Sequence, residues 1–153
     1  MSSICSHATN EDELLQQATS AVAGALYPDN CGFLLLDQQR NVLVTHPSFV
    51  LSDRSVSTSD KPLGTGITGH VAQTGRAVRT GDVRSDPNYL AADPRTLSEL
   101  CIPLMIGDCV QGVLNIECSK PDAFSEIDEQ LIRICCAVPH CRAISEATYF
   151  PIR

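Results

Sequence analysis

Apolar residues Leu14, Leu15, Ala18, Val22, Ala25 and Leu26 recur at helical spacing and predict a first helix with one buried stripe. Asn10 stands before it as an N-cap, and Glu13 three residues later completes a capping-box pattern. Pro28 and the Asp29-Asn30 pair stop it. Cys31-Gly32-Phe33-Leu34-Leu35-Leu36 is a short apolar run suited to a buried strand. After a polar turn, Val42-Leu43-Val44-Thr45-His46 reads as the returning arm of a hairpin. Residues 52–62 are polar and serine-rich, which predicts a long loop of the kind that often carries function. Gly64-Thr65-Gly66-Ile67-Thr68-Gly69 then opens a short helix over 70–74, with Gly75 as its left-handed cap. Residues 77–80 read as a short strand, and Asp86-Pro87-Asn88-Tyr89 as a turn. Two strands over 97–106 and 109–118 flank Gly107-Asp108, a tight hairpin signal, and a last helix runs from 125 to about 147.

Hairpins join these strands more often than long crossovers do, so the expected architecture is α/β (α+β) with a central antiparallel sheet of five or six strands. The N- and C-terminal helices have to bury their stripes and are placed together on one sheet face. The loops and the short helix then cover the other face and enclose a pocket. Alternation along the last two strands says which side chains face it. Leu100, Ile102 and Leu104, with Leu114, Ile116 and Cys118, form the apolar set that belongs under the helices. Glu99, Asn115 and Glu117 therefore line the covered face, and Cys101 shares it. Phe33 and Tyr89 complete the candidate ligand-contacting set. Two carboxylates and an amide in a covered cavity suit an amine or another hydrogen-bond donor, so the expected ligand is a cationic or zwitterionic metabolite.

The chain has 153 residues and 43% hydrophobic content, enough for a single self-supporting core. Eighteen acidic against eleven basic residues leave a formal charge of −7, which argues against nucleic acid or an anionic membrane as partner. No apolar run approaches the roughly 20 residues of a membrane span, and no signal-peptide pattern opens the chain, so a cytoplasmic protein is expected. Eight cysteines are present without a Cys-x-x-Cys pair, which removes the usual zinc-ribbon and thioredoxin signature.

The stretch Pro62-Leu63-Gly64-Thr65-Gly66-Ile67-Thr68-Gly69-His70-Val71-Ala72-Gln73-Thr74-Gly75-Arg76-Ala77-Val78 resembles the central segment of GAF domains. So do Ser98-Glu99-Leu100-Cys101-Ile102-Pro103-Leu104, Gly112-Val113-Leu114-Asn115-Ile116-Glu117 and Ala123-Phe124-Ser125-Glu126-Ile127-Asp128-Glu129. The resemblance covers residues 10–147, leaving 1–9 as a flexible N-terminus and 148–153 as a tail. It implies a sensory or regulatory module that binds a small ligand and forms a homodimer through its terminal helices. The resulting expectation is a non-catalytic, signal-transducing domain whose ligand orders residues 52–62 and 84–97 and shifts the helices. No cofactor is assigned.

One enzymatic branch of that family, the free methionine-(R)-sulfoxide reductases, is the alternative. Its acidic pocket positions match Glu99, Asn115 and Glu117, with Asn115 departing from an acid. Its redox cysteines fall near Thr68 and the Leu90-Ala91-Ala92 turn, where this chain has no cysteine. Cyclic-nucleotide-binding GAF domains are matched by Lys120, Phe124, Asp128 and Glu129, although helix capping by Ser125 and Asp128 accounts for the acids. Gly64, Gly66 and Gly69 spell Gly-x-Gly-x-x-Gly, but no strand precedes them as a dinucleotide site requires. They are read as loop-turning positions that let the short helix approach the sheet. Bilin attachment lacks its cysteine in residues 86–97. Cys135, Cys136, His140 and Cys141 form a metal-like cluster, for which core packing along Ile127, Leu131, Ile134, Val138 and Cys141 is the expectation. Pro139 is expected to kink the last helix.

Overall fold

A computed structural model describes residues 10–134 and Ala137. The metal-like cluster at Cys135, Cys136, His140 and Cys141, the Pro139 kink and the tail lie outside the described residues.

Helix α1 spans Glu11–Leu26. The Asn10 side chain accepts a hydrogen bond from the Glu13 amide at 2.9 Å, so one of the free N–H groups of the first turn is satisfied as the capping pattern required. Leu14, Leu15, Ala18 and Val22 are buried, Leu26 is half-buried against the same core, and Ala25 is exposed. Tyr27 closes it in the left-handed region.

Strands β1 (Asn30–Asp37) and β2 (Val42–Thr45) form the expected hairpin. A two-residue strand β3 (Lys61–Pro62) then pairs with β2 at the sheet edge. It lies inside the stretch expected to be loop throughout. Helix α2 covers Gly66–Thr74 and ends at Gly75, whose φ of 69° is the predicted left-handed cap. Strand β4 (Val78–Thr80) and a single 3-10 turn at Val83–Ser85 lead to β5 (Ser98–Ile106) and β6 (Cys109–Cys118). Helix α3 is described over 126–134. Ser125 and Asp128 cap it reciprocally, with Asp128 N donating to Ser125 Oγ at 3.1 Å and Ser125 N to Asp128 Oδ2 at 2.8 Å.

The six strands lie in the order β3-β2-β1-β6-β5-β4, all antiparallel. On one face α1 and α3 bury Leu15, Ala18, Val22, Phe124 and Ile132 against Leu100, Ile102, Leu114 and Ile116. On the other, α2 packs Ile67, Val71 and Ala72 on Leu34, Leu43, Cys101 and Val113. The layered arrangement expected from the sequence is thus the arrangement found. One detail differs: Ile127, Leu131 and Ile134 are not core residues but 67%, 51% and 66% exposed. Ile132 is the residue of α3 that turns inward.

The three glycines of the Gly-x-Gly-x-x-Gly stretch do what the loop needs. Gly64 and Gly66 adopt φ of 78° and 70°, and a Cβ on Gly69 would stand 2.5 Å from the Pro62 carbonyl oxygen. That close approach seats α2 against β3.

Candidate ligand site over the sheet

The pairing register assembles the site. Glu117 on β6 stands opposite Asn30 on β1 and opposite Glu99 on β5. Asn115 stands between Gly32 and Cys101. Directly opposed residues share a sheet face, so Asn30, Glu99, Asn115 and Glu117 form one polar floor. Glu99, Asn115 and Glu117 are only 3%, 5% and 8% exposed. They line a cavity of about 260 Å³ whose walls come from Leu34, Phe49, Lys61, the start of α2 at Thr65–Thr68, and Leu90–Ala92. A cavity of this size takes a small metabolite.

A hydrogen-bond network fixes the floor. Asn30 Nδ2 donates to Glu117 Oε2 and to Asp93 Oδ2, both at 3.0 Å, while Asn30 Oδ1 accepts from the Ser52 amide at 3.1 Å. Arg95 clamps Asp93 through Nε at 3.0 Å and Nη2 at 2.9 Å, and reaches Ser52 Oγ with the same Nη2. This clamp holds the Asp93 carboxyl down at about 2. Asn115 Nδ2 donates to Glu117 Oε1 at 3.4 Å, but Asn115 Oδ1 is buried with no donor. Such an orphan acceptor costs free energy until a donor arrives.

Electrostatics separate the two glutamates from ordinary carboxylates. Burial, followed by the charge of Glu117, pushes Glu99 well above the usual range. Burial raises Glu117 too, with the Asn30 amide opposing it. Two like-charged groups in one dry site do not both ionise readily, so Glu99 retains its proton far longer than a surface glutamate. Tyr89 packs on the α2 side of the sheet, and burial with the nearby Glu117 and Glu99 pushes its phenol up to about 12.

Of the six sequence-predicted residues, the structure brings Glu99, Asn115 and Glu117 into the cavity wall and Tyr89 to its vicinity. Cys101 is on the correct face but lies wholly buried beneath α2, and burial raises its thiol well above normal. Phe33 is a correction: its register partner is Leu114, so it points into the core under α1 and not into the cavity. Asn30, Asp93 and Lys61 escaped the sequence reading. Asn30 had been absorbed into a helix-stop signal, and nothing local marks Asp93 as its partner. The matches to the cyclic-nucleotide motif have other work. Phe124 is core, Asp128 caps α3, and Glu129 accepts from Arg79 Nε at 3.1 Å and Arg133 Nη2 at 3.0 Å.

The sequence of residues 8–137 matches the family described as GAF domain. The chain is a GAF domain. Protein YtsP of Bacillus subtilis is 30% identical to it over 131 residues, which cover 82% of this chain and 78% of that protein. The domain superposes on a free methionine-R-sulfoxide reductase of Neisseria meningitidis, solved in complex with its substrate, with a TM-score of 0.87. Identity there is 24%, over 97% of this chain and 86% of that one. A type II free methionine-R-sulfoxide reductase of Thermoplasma acidophilum gives a TM-score of 0.75 at 26% identity, over 86% of this chain and 93% of that one. The expectation of a non-enzymatic domain is overturned by this 26% identical neighbour and by the free methionine-R-sulfoxide reductases of Saccharomyces cerevisiae and Escherichia coli, 30% and 31% identical over 45% and 47% of this chain and 39% and 44% of those proteins. Thr68 and Leu90–Ala92, the places matched to the redox cysteines of that branch, do line the cavity. No cysteine lines it among the described residues.

No helix among the described residues is long and apolar enough to cross a membrane.

Proposed function

We propose that this GAF domain takes free methionine-R-sulfoxide into the cavity over Glu99, Asn115 and Glu117 and promotes its reduction to methionine. The observation that supports it is the pair of buried glutamates paired across adjacent strands, where burial raises Glu99 well above the usual carboxylate range. A neutral carboxyl group in a dry site donates a hydrogen bond to the sulfoxide oxygen and makes the sulfur electrophilic. A thiolate then attacks sulfur, the S–O bond breaks, and the oxygen leaves as water after taking two protons, one of them from Glu99. A second thiol displaces methionine and closes a disulfide, so two electrons pass from thiols to substrate. Because Cys101 is sealed below the floor, both thiols come in this reading from an external dithiol reductant.

The test follows methionine formation by chromatography with purified protein, methionine-R-sulfoxide and reduced thioredoxin or dithiothreitol, beside calorimetric titration of the substrate. Turnover above the thiol-only background supports the reading. Binding without turnover, or no heat at all, ends it. Glu99→Gln keeps the shape but holds no transferable proton, and its turnover falls roughly 100-fold, the usual scale of a lost general acid.

The homodimer is also a proposal. Ile127, Leu131 and Ile134 are exposed at i, i+4 and i+7 on α3, a stripe that a second copy of the same helix would bury.

A further inference from the structure

Asn30 opens β1 and is fully buried. Its Oδ1 accepts from the Ser52 main-chain amide at 3.1 Å, and that N–H can only donate, so the side-chain amide has one orientation. Nδ2 is thereby turned to two carboxylates, Asp93 Oδ2 and Glu117 Oε2, each at 3.0 Å. Arg95 already holds Asp93 as an anion through Nε and Nη2. One N–H of Asn30 goes to that anion and the other goes to Glu117. The second oxygen of Glu117 accepts from Asn115 Nδ2. A proton on either oxygen would weaken one of these bonds, so the surroundings of Glu117 favour its carboxylate.

Glu99, opposite it on β5, has a different set of neighbours. It shares the Asn115 amide with Glu117, and the charges that face it, Glu117 and Asp86, carry its own sign. Around Glu117, Asp93 repels an added negative charge, whereas Lys61 on β3 attracts it. Tyr89 and Cys101 face both glutamates, and burial keeps phenol and thiol neutral. We propose that Asn30 is a positioning residue that decides which glutamate carries the proton: by donating to Glu117 it makes that side chain the anion of the pair and leaves the transferable hydrogen on Glu99. The asymmetry of the pair is thus set from β1, outside the two strands that carry the acids. The placing of the charge stands on the hydrogen bonds; only the use of the Glu99 proton rests on the reductase reading.

The experiment follows the side-chain carboxyl carbons of the full chain, labelled with carbon-13 glutamate, by NMR from about pH 4 to about pH 9 without ligand, with Glu99→Gln and Glu117→Gln assigning the two signals. Wild type is expected to ionise Glu117 before Glu99. In Asn30→Ala the Glu117 midpoint rises by about one pH unit, a tenfold gain in proton affinity, and the gap between the two narrows. Asn30→Ser, shorter by one bond and still polar, is read in the same way should the alanine variant not fold. Lys61→Met separates the amide from the ammonium and is expected to narrow the gap less. The assignment is overturned if wild type ionises Glu99 first or both together, if loss of the Asn30 amide leaves the gap unchanged, or if Lys61→Met has the larger effect. Methionine formation is measured on the same wild-type sample. The expected order without turnover ends the reductase reading and leaves the role of Asn30 standing; turnover with the order reversed does the opposite.

Discussion

Glu99 and Glu117 face each other across β5 and β6 with their carboxyl groups taken out of water. Their folded-state values are raised above 4.5, so the folded chain holds more protons than the unfolded one as pH climbs past that point. Their contribution to stability is present at low pH and is lost as pH rises through the raised values. Asp93 acts oppositely: its value near 2 gives stability that disappears as pH falls from 3.8 toward 2. The ligand-free protein is therefore expected to melt at a lower temperature at about pH 8 than at about pH 5, and Glu99→Gln to flatten that slope in a differential scanning experiment. Asn30→Ala strips Glu117 and Asp93 of a shared donor and should cost roughly 1–3 kcal/mol by urea denaturation. Part of this chemistry was legible beforehand. Alternation along β5 and β6 put Glu99, Asn115 and Glu117 on one face because their apolar partners could only belong to the other. Phe33 was misplaced because β1 is apolar on both faces, and such a run carries no parity signal. Asn30 and Asp93 are 63 residues apart, and no local pattern reports a contact of that range.

Among the elements, α1, the β1–β2 hairpin and the β5–β6 hairpin were readable because each satisfies a local rule of period, cap or turn. Strand β3 was not, since two residues cannot display a period, and Lys61–Pro62 earn strand geometry only by pairing with Val42 and Leu43. Its importance lies in what it positions. Gly69 brings α2 against the Pro62 carbonyl, and α2 in turn roofs Cys101 and walls the cavity. Gly69→Ala forces helix and edge strand apart. The expected loss is about 1–3 kcal/mol of stability, with a weaker calorimetric affinity for ligand in the same variant. Asn10→Ala, far from the cavity, should cost about 1 kcal/mol and leave affinity unchanged.

At the scale of the molecule, the two hydrophobic layers divide the labour. The α1–α3 side is a dense core, while the α2 side pairs a smaller core with a polar cavity. Leu131→Glu tests the proposed assembly: light scattering should report a single copy at concentrations where a dimer is expected of wild type, with a lower melting temperature at those concentrations. Hydrophobic content and strand order told of a single layered domain, but not how many copies associate, since an exposed stripe and a buried one share the same spacing. The opposed carboxyls under the cavity have one more effect. Left empty, they tax the folded state; neutralised by a cationic guest, they do not. Cellular proteases sample the open chain, so the empty form would be degraded sooner than the occupied one. The standing amount of this protein would then rise and fall with the supply of whatever fills it, without any change in its synthesis.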